Sequence, residues 1–220
     1  MRLTTPNILT LLRLAAAPLM ALLFLVLPRP YADMVAIVLF VGASLTDWLD
    51  GYIARAWNQR TKLGTMLDPI ADKAMVVIAL GVLLGTSSLS GGLLLPAVLI
   101  LFREVFVSGL REFLGDVAGT LAVTRLAKWK TAIQMTAITI LLAQGIAEHY
   151  FGMGVLGMDD ASLQAVLNAD APDETGVGMW WTALQITTWG GLALIWLAAV
   201  LTAVTGADYF AKALPHLRED

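Results

Sequence analysis

The sequence predicts an all-α polytopic membrane protein: six transmembrane helices in a single domain over residues 1–220, with cytoplasmic N- and C-termini. Three observations carry this expectation. Of 220 residues, 58% are hydrophobic and only 14% charged, against roughly 25% charged in an ordinary soluble domain. The apolar residues gather into six segments, each near the roughly 20 residues a helix needs to cross a core about 30 Å thick. The cations are one-sided: with a cytoplasmic N-terminus and six spans, only Arg29 of the fourteen Lys and Arg residues falls near the outer ends, as the positive-inside rule requires.

The first segment covers about 8–28 and follows Thr5-Pro6, an ordinary helix start. Arg2 and the apolar run Leu14 to Leu27 imitate a secretory signal. However, the small residues Ala15 to Ala17 precede the bulk of that run, where no cleavage site would lie, and more apolar segments follow, so an uncleaved span is expected. The second segment, about 33–55, follows "PRPYAD"; the third, about 64–86, follows "WNQRTK". The fourth, about 93–112, follows "TSSLSGG", and a mixed stretch from Phe113 to Leu126 leads to the fifth, about 128–147. A long polar insert at 148–179, with Asp159, Asp160, Asp170, Asp173 and Glu174, separates it from the sixth, about 180–205. The topology puts this insert outside. Trp180, Trp181, Trp189 and Trp196 are expected to anchor the interface and pack.

Composition also excludes. Cysteine is absent, so there is neither a disulfide framework nor a thiolate metal site. A net charge of −3 argues against a nucleic-acid partner.

One stretch conflicts with a membrane role as mere hydrophobic filler: "TDWLDGYIARAWNQRTKLGTMLDPIADK", residues Thr46 to Lys73, holds Asp47, Asp50, Asp68 and Asp72. Met34 to Asp47 is about 20 Å of helix at 1.5 Å per residue, short of a full crossing, so Asp47 is expected below the cytoplasmic surface. Asp47, Asp50, Gly51, Ala54 and Arg55 share one helical face, as do Gly64, Asp68 and Asp72 on the next span. A tight hairpin through "WNQRTKLG" would bring the two faces together. Carboxylates converging at low dielectric repel, so cations must balance them. Oxygen ligands without cysteine or a nearby histidine select Mg²⁺ or Mn²⁺ over zinc, and four aspartates suffice for two ions. Arg55 adds a phosphate-matching fork, and the small residues leave bare backbone. These features suggest a pyrophosphate-bearing substrate; a solvated loop with charged ends and a divalent-cation carrier are the competing readings.

The pattern Asp47-x2-Asp50-Gly51-x2-Ala54-Arg55-x8-Gly64-x3-Asp68-x3-Asp72 resembles, with nothing missing, the signature of the CDP-alcohol phosphatidyltransferases. Further stretches, "TPNILTLLR" (5–13), "REVFVSGLRE" (103–112) and "KWKTAIQM" (128–135), resemble members of that family that use glycerol-3-phosphate as acceptor. The resemblance runs from about residue 1 to 142 and resumes weakly in the last span; the 148–179 insert is longer than the family leads one to expect.

The resemblance implies a bacterial inner-membrane enzyme whose site faces the cytoplasm and draws its reagents from there, and which forms a homodimer in the bilayer. Asp47, Asp50, Asp68 and Asp72 would bind two Mg²⁺ or Mn²⁺ ions on the diphosphate of CDP-diacylglycerol. Asp47, Gly51, Ala54, Arg55, Gly64 and Asp68 would cradle that substrate. Asp72 would act as the catalytic base toward the 1-hydroxyl of sn-glycerol-3-phosphate, with CMP leaving. Arg103, Arg111, Lys128 and Lys130 are assigned to the acceptor phosphate. Plainer alternatives stand beside some of these: Arg103 and Glu104, about 15 Å into the fourth span, could form a structural ion pair, and Lys128 and Lys130 could serve only the positive-inside bias. Asn7 and Arg13 match the family's N-terminal pattern, yet Arg13 could equally snorkel to the interface. Serine, inositol phosphate or phosphatidylglycerol remain alternative acceptors within the family.

Overall fold

The computed structural model describes residues 4–56, 61–119 and 125–217 and, within them, all side chains except those of 48–56, 90, 116, 118, 125, 127 and 128. Among the described residues every regular element is helical. The long helices are α1 (Thr5–Val26), α2 (Tyr31–Ala56), α3 (Lys62–Thr86), α4 (Ser90–Leu114) and α5 (Arg125–Gly154). A short α6 (Asp160–Leu167) precedes α7 (Val177–Gln185), which continues through a π-turn (Ile186–Gly190) into α8 (Gly191–Ala213).

Local chemistry sets the helix ends. Pro6 occupies the first turn of α1, where its missing N–H costs nothing. Thr61 caps α3 by accepting the Gly64 amide at 3.0 Å, and Asp159 caps α6 by accepting the Ser162 amide at 2.9 Å. The Ser162 bonds hold the exposed Asp159 carboxyl below the usual carboxylate range. Pro18, Pro69 and Pro96 sit inside α1, α3 and α4, positions that membrane helices tolerate when neighbouring groups satisfy the freed carbonyls.

Among the described residues, four helical stretches are long and apolar enough to cross a membrane: Thr5–Val26, Gly91–Leu114, Trp129–Gly154 and Val177–His216. α2 and α3, with 26 and 25 residues, have the length for it at 1.5 Å per residue. The expected polar insert is shorter as a loop than its composition suggests. Residues 148–154 continue α5, and α7 begins at Val177, where Asp173 accepts the amides of Val177 and Gly178 at 2.9 Å each. The aromatic pairs Tyr150–Trp180 (4.6 Å between centroids) and Phe151–Trp181 (5.1 Å) explain the extension, because they dock α5 on α7. Trp196 donates to the Gly92 carbonyl at 3.1 Å, tying α8 to α4, whereas Trp189 stays exposed and bonds Gln185.

The core is a continuous cluster contributed by α1 to α5 and α8, with Met20, Phe40, Leu80, Ile100, Ile138 and Ile195 fully buried. α1 packs extensively on both α2 and α3, while α2 and α3 touch each other only sparsely; α8 packs on both α4 and α5. Arg29, the cation out of step with the charge rule, is a clamp. It binds the fully buried Asp33 through two bonds of 2.7 and 2.8 Å and donates to the Thr86 carbonyl at the end of α3, 3.0 Å away. Gly145 on α5 permits this, since a β-carbon there would overlap the Arg29 guanidinium and the Asp33 carboxylate.

Candidate active site

The aspartate pattern lies on two helices, and α1 is what joins them. Asn7, Thr10 and Arg13 recur every three residues along α1, and all three are buried. The Arg13 Nη1 donates to Asp47 Oδ1 on α2 and, at 2.5 Å, to Asp72 Oδ1 on α3. One turn earlier, Thr10 Oγ1 donates to Asp68 Oδ1 at 2.8 Å. Another turn back, Thr61 Oγ1 donates to Asn7 Oδ1 at 2.8 Å while accepting the Gly64 amide. Gly64 is buried there, and a β-carbon on it would stand 2.9 Å from Asn7 Oδ1. Its missing side chain therefore sets how closely α1 and α3 approach.

The site is asymmetric in exposure. The Arg13 side chain is 2% exposed, but those of Asp47 and Asp72 are 47% and 49% exposed, so the carboxylates face solvent while the cation stands behind them. They line a cleft of about 170 Å³ with Arg13, Ser44, Met75, Thr131 and Met135. α5 thus forms one wall.

Asp50, Gly51, Ala54 and Arg55 continue α2 beyond Asp47, but their side chains lie outside the described residues, as do that of Lys128 and residues 57–60, where the hairpin is expected. Among the described residues no three of His, Cys, Asp and Glu gather closely enough to hold a metal. Asp47 and Asp72 nevertheless form an all-oxygen donor set focused on one cationic nitrogen, which fits a hard divalent ion in kind.

Of the four cations expected at the acceptor phosphate, the three with described side chains fall in two places. Lys130 Nζ lies 2.8 Å and Arg103 Nη1 3.3 Å from the same Glu104 Oε1, joining α5 to α4. Arg103 also lies across bare Gly206 of α8, whose added β-carbon would meet Arg103 Cγ at 3.0 Å. Arg111, two turns further along α4, is exposed and stands over the Tyr209 ring at 5.7 Å. The pairing of Arg103 with Glu104 is thus present, with Lys130 as a third member. The sequence does not single out Thr10, and it leaves Arg13 between snorkelling and function. The signal available for both is their three-residue spacing with Asn7 inside an apolar span.

Comparison with known proteins agrees with this geometry. The family model described as CDP-alcohol phosphatidyltransferase matches residues 3–204. A Cereibacter sphaeroides protein named CDP-diacylglycerol–glycerol-3-phosphate 3-phosphatidyltransferase is 55% identical over 216 residues, covering 98% of this chain and 97% of its own. A Rickettsia bellii protein of the same name is 40% identical over 205 residues, covering 93% and 92%. A rice protein named cardiolipin synthase (CMP-forming) is 45% identical over 153 residues, covering 64% of this chain and 46% of its own. With a complete aspartate signature and a match over nearly its whole length, the chain belongs to the CDP-alcohol phosphatidyltransferase family.

Proposed function

We infer that this chain transfers the phosphatidyl group of CDP-diacylglycerol to the 1-hydroxyl of sn-glycerol-3-phosphate, giving phosphatidylglycerophosphate and CMP. The observation that carries this is the 55% identity, over 98% of the chain, to a protein named for that transfer. The convergence of Asp47 and Asp72 in an open cleft supports it chemically.

Asp47, Asp50, Asp68 and Asp72 would hold two Mg²⁺ or Mn²⁺ ions; when bound, such ions neutralise the diphosphate and the charge that develops on the departing CMP. The chain's own residues do the rest. Asp47, Gly51, Ala54, Arg55 and Asp68 cradle the nucleotide diphosphate, and Gly64 keeps α1 near enough to close one side. Thr10 fixes the rotamer of Asp68 by its hydrogen bond. Asp72, exposed to the cleft, accepts the proton of the acceptor's 1-hydroxyl, so that oxygen can attack the lipid-linked phosphorus. Arg103, Arg111, Lys128 and Lys130 serve the acceptor phosphate, where Arg offers a bidentate fork and Lys a point charge.

In this reading the chain is a multi-pass protein of the bacterial inner membrane. α2 and α3 add two spans to the four apolar ones, and both termini and the aspartates face the cytoplasm. The insert at 148–179 lies outside, and two copies pair in the bilayer. Support for the orientation comes from the cation distribution along the sequence.

A second acceptor, phosphatidylglycerol, is favoured by the match to the rice cardiolipin synthase. Incubating the purified protein with CDP-diacylglycerol and each acceptor separately, then identifying the lipid formed, decides between them. Phosphatidylglycerophosphate is expected; cardiolipin alone would transfer the reading to the second acceptor, and no CMP release would remove both.

A further inference from the structure

Arg13 occupies a position that a divalent ion would also claim. One of its nitrogens, Nη1, meets both Asp47 Oδ1 and Asp72 Oδ1, and a divalent ion held by these carboxylates would compete with that nitrogen for the same oxygens. A permanent ion triad would be expected to seal its carboxylates away together with its cation. Here the guanidinium is 2% exposed while the carboxylates, at 47% and 49%, stay open to the cleft. The partner that can be approached from solvent is therefore the anionic one.

Charge leads the same way. Asp47 and Asp72 accept from the guanidinium, and Asp68 accepts from a neutral hydroxyl, that of Thr10. Without Arg13 the carboxylates of α2 and α3 would repel across a site of reduced dielectric. The cleft gives the guanidinium somewhere to go, because Arg13 itself lines its 170 Å³ together with Ser44 and Thr131. A planar fork released at the edge of such a site is well suited to phosphate oxygens.

We propose that Arg13 is an exchangeable counter-ion: without a divalent ion it holds Asp47 and Asp72 together, and when the ion takes the carboxylates its guanidinium turns to the phosphate of the incoming nucleotide-linked lipid. No covalent step is involved. The proposal rests on the transferase reading for the identity of the phosphate, and it gives Arg13 two roles in turn, holding the carboxylate pair and then contacting that phosphate.

The test measures Mn²⁺ binding by electron paramagnetic resonance on the full-length protein in detergent micelles, with no lipid substrate present. Arg13→Gln removes the competing cation and should bind Mn²⁺ on the order of tenfold more tightly, the scale of one charge-assisted hydrogen bond, whereas Arg13→Lys should stay near the wild type. Equal or weaker Mn²⁺ binding by Arg13→Gln would overturn the proposal. A second measurement needs no variant: phenylglyoxal modification of Arg13 in the wild-type protein, quantified by mass spectrometry. The adduct should rise severalfold when Mn²⁺ is added and fall again with CDP-diacylglycerol; an adduct indifferent to Mn²⁺ would also overturn it. No release of CMP from CDP-diacylglycerol while both Mn²⁺ responses hold would remove the transferase reading and leave the exchange in place.

Discussion

Lys130 of α5 and Glu104 of α4 form an ion pair at 2.8 Å, with side chains 7% and 15% exposed, so one of the cations expected at the acceptor phosphate is already matched inside the helix bundle. Removing one member of such a pair leaves the other charge buried and costs about 3–5 kcal/mol, whereas removing both costs much less. Lys130→Met should therefore lower stability by an amount on the order of 3 kcal/mol, and adding Glu104→Gln should recover only part of it, because Arg103 then loses the same carboxylate. Denaturant or thermal unfolding of the two variants in micelles measures the coupling. Additive losses would show that Glu104 draws little from Lys130.

The aspartates should be needed for chemistry and not for folding. Asp68 accepts from the neutral Thr10 hydroxyl, and Asp72, one turn along α3, is acidic, so Asp68→Ala relieves repulsion in the metal-free protein. The expected result is loss of CMP release with an unfolding midpoint no lower than that of the wild type. Chelation by EDTA should likewise abolish turnover and Mg²⁺ or Mn²⁺ restore it; full turnover in chelator would exclude the divalent-ion site.

At the far end of the bundle, Gly145→Ala should destabilise. Its β-carbon would overlap Arg29 and Asp33, and overpacking of this kind costs about 1–3 kcal/mol. Gly81 and Gly85 on α3 provide the control, because nothing lies within 4 Å of a β-carbon placed on either. Alanine at either is expected to be neutral or stabilising by up to about 1 kcal/mol, the helix-propensity difference. Comparing the three unfolding midpoints tests the clamp directly.

Because the chain contains no cysteine, single thiols report topology without background. Ser162→Cys in α6 should react with a membrane-impermeant maleimide added outside, and Lys62→Cys at the start of α3 should react only after the membrane is opened. Both positions are exposed. The opposite pattern would reverse the orientation and move the aspartate cleft to the outer side.

The sequence alone determined what depends on near neighbours along the chain. Apolar segments became helices because backbone hydrogen bonds join residues four apart, and that same period put Asp68 and Asp72 on one face of α3. The family was legible for the same reason, since its signature is a spacing. Partnerships across the bundle were not legible. Arg13 meets Asp47 and Asp72 across separations of 34 and 59 residues, and the spacing of α1 cannot say which helices it will lie between. Arg29 looks like a misplaced surface cation in the sequence because its clamp needs Asp33, the Thr86 carbonyl and bare Gly145 from three helices at once. The insert looks longer there because composition marks polarity, while its ends are decided by Tyr150 and Phe151 packing on Trp180 and Trp181. Local hydrogen bonding fixes which segments are helical, but long-range packing chooses which of their faces meet, and in this protein that choice places a buried guanidinium behind the carboxylates.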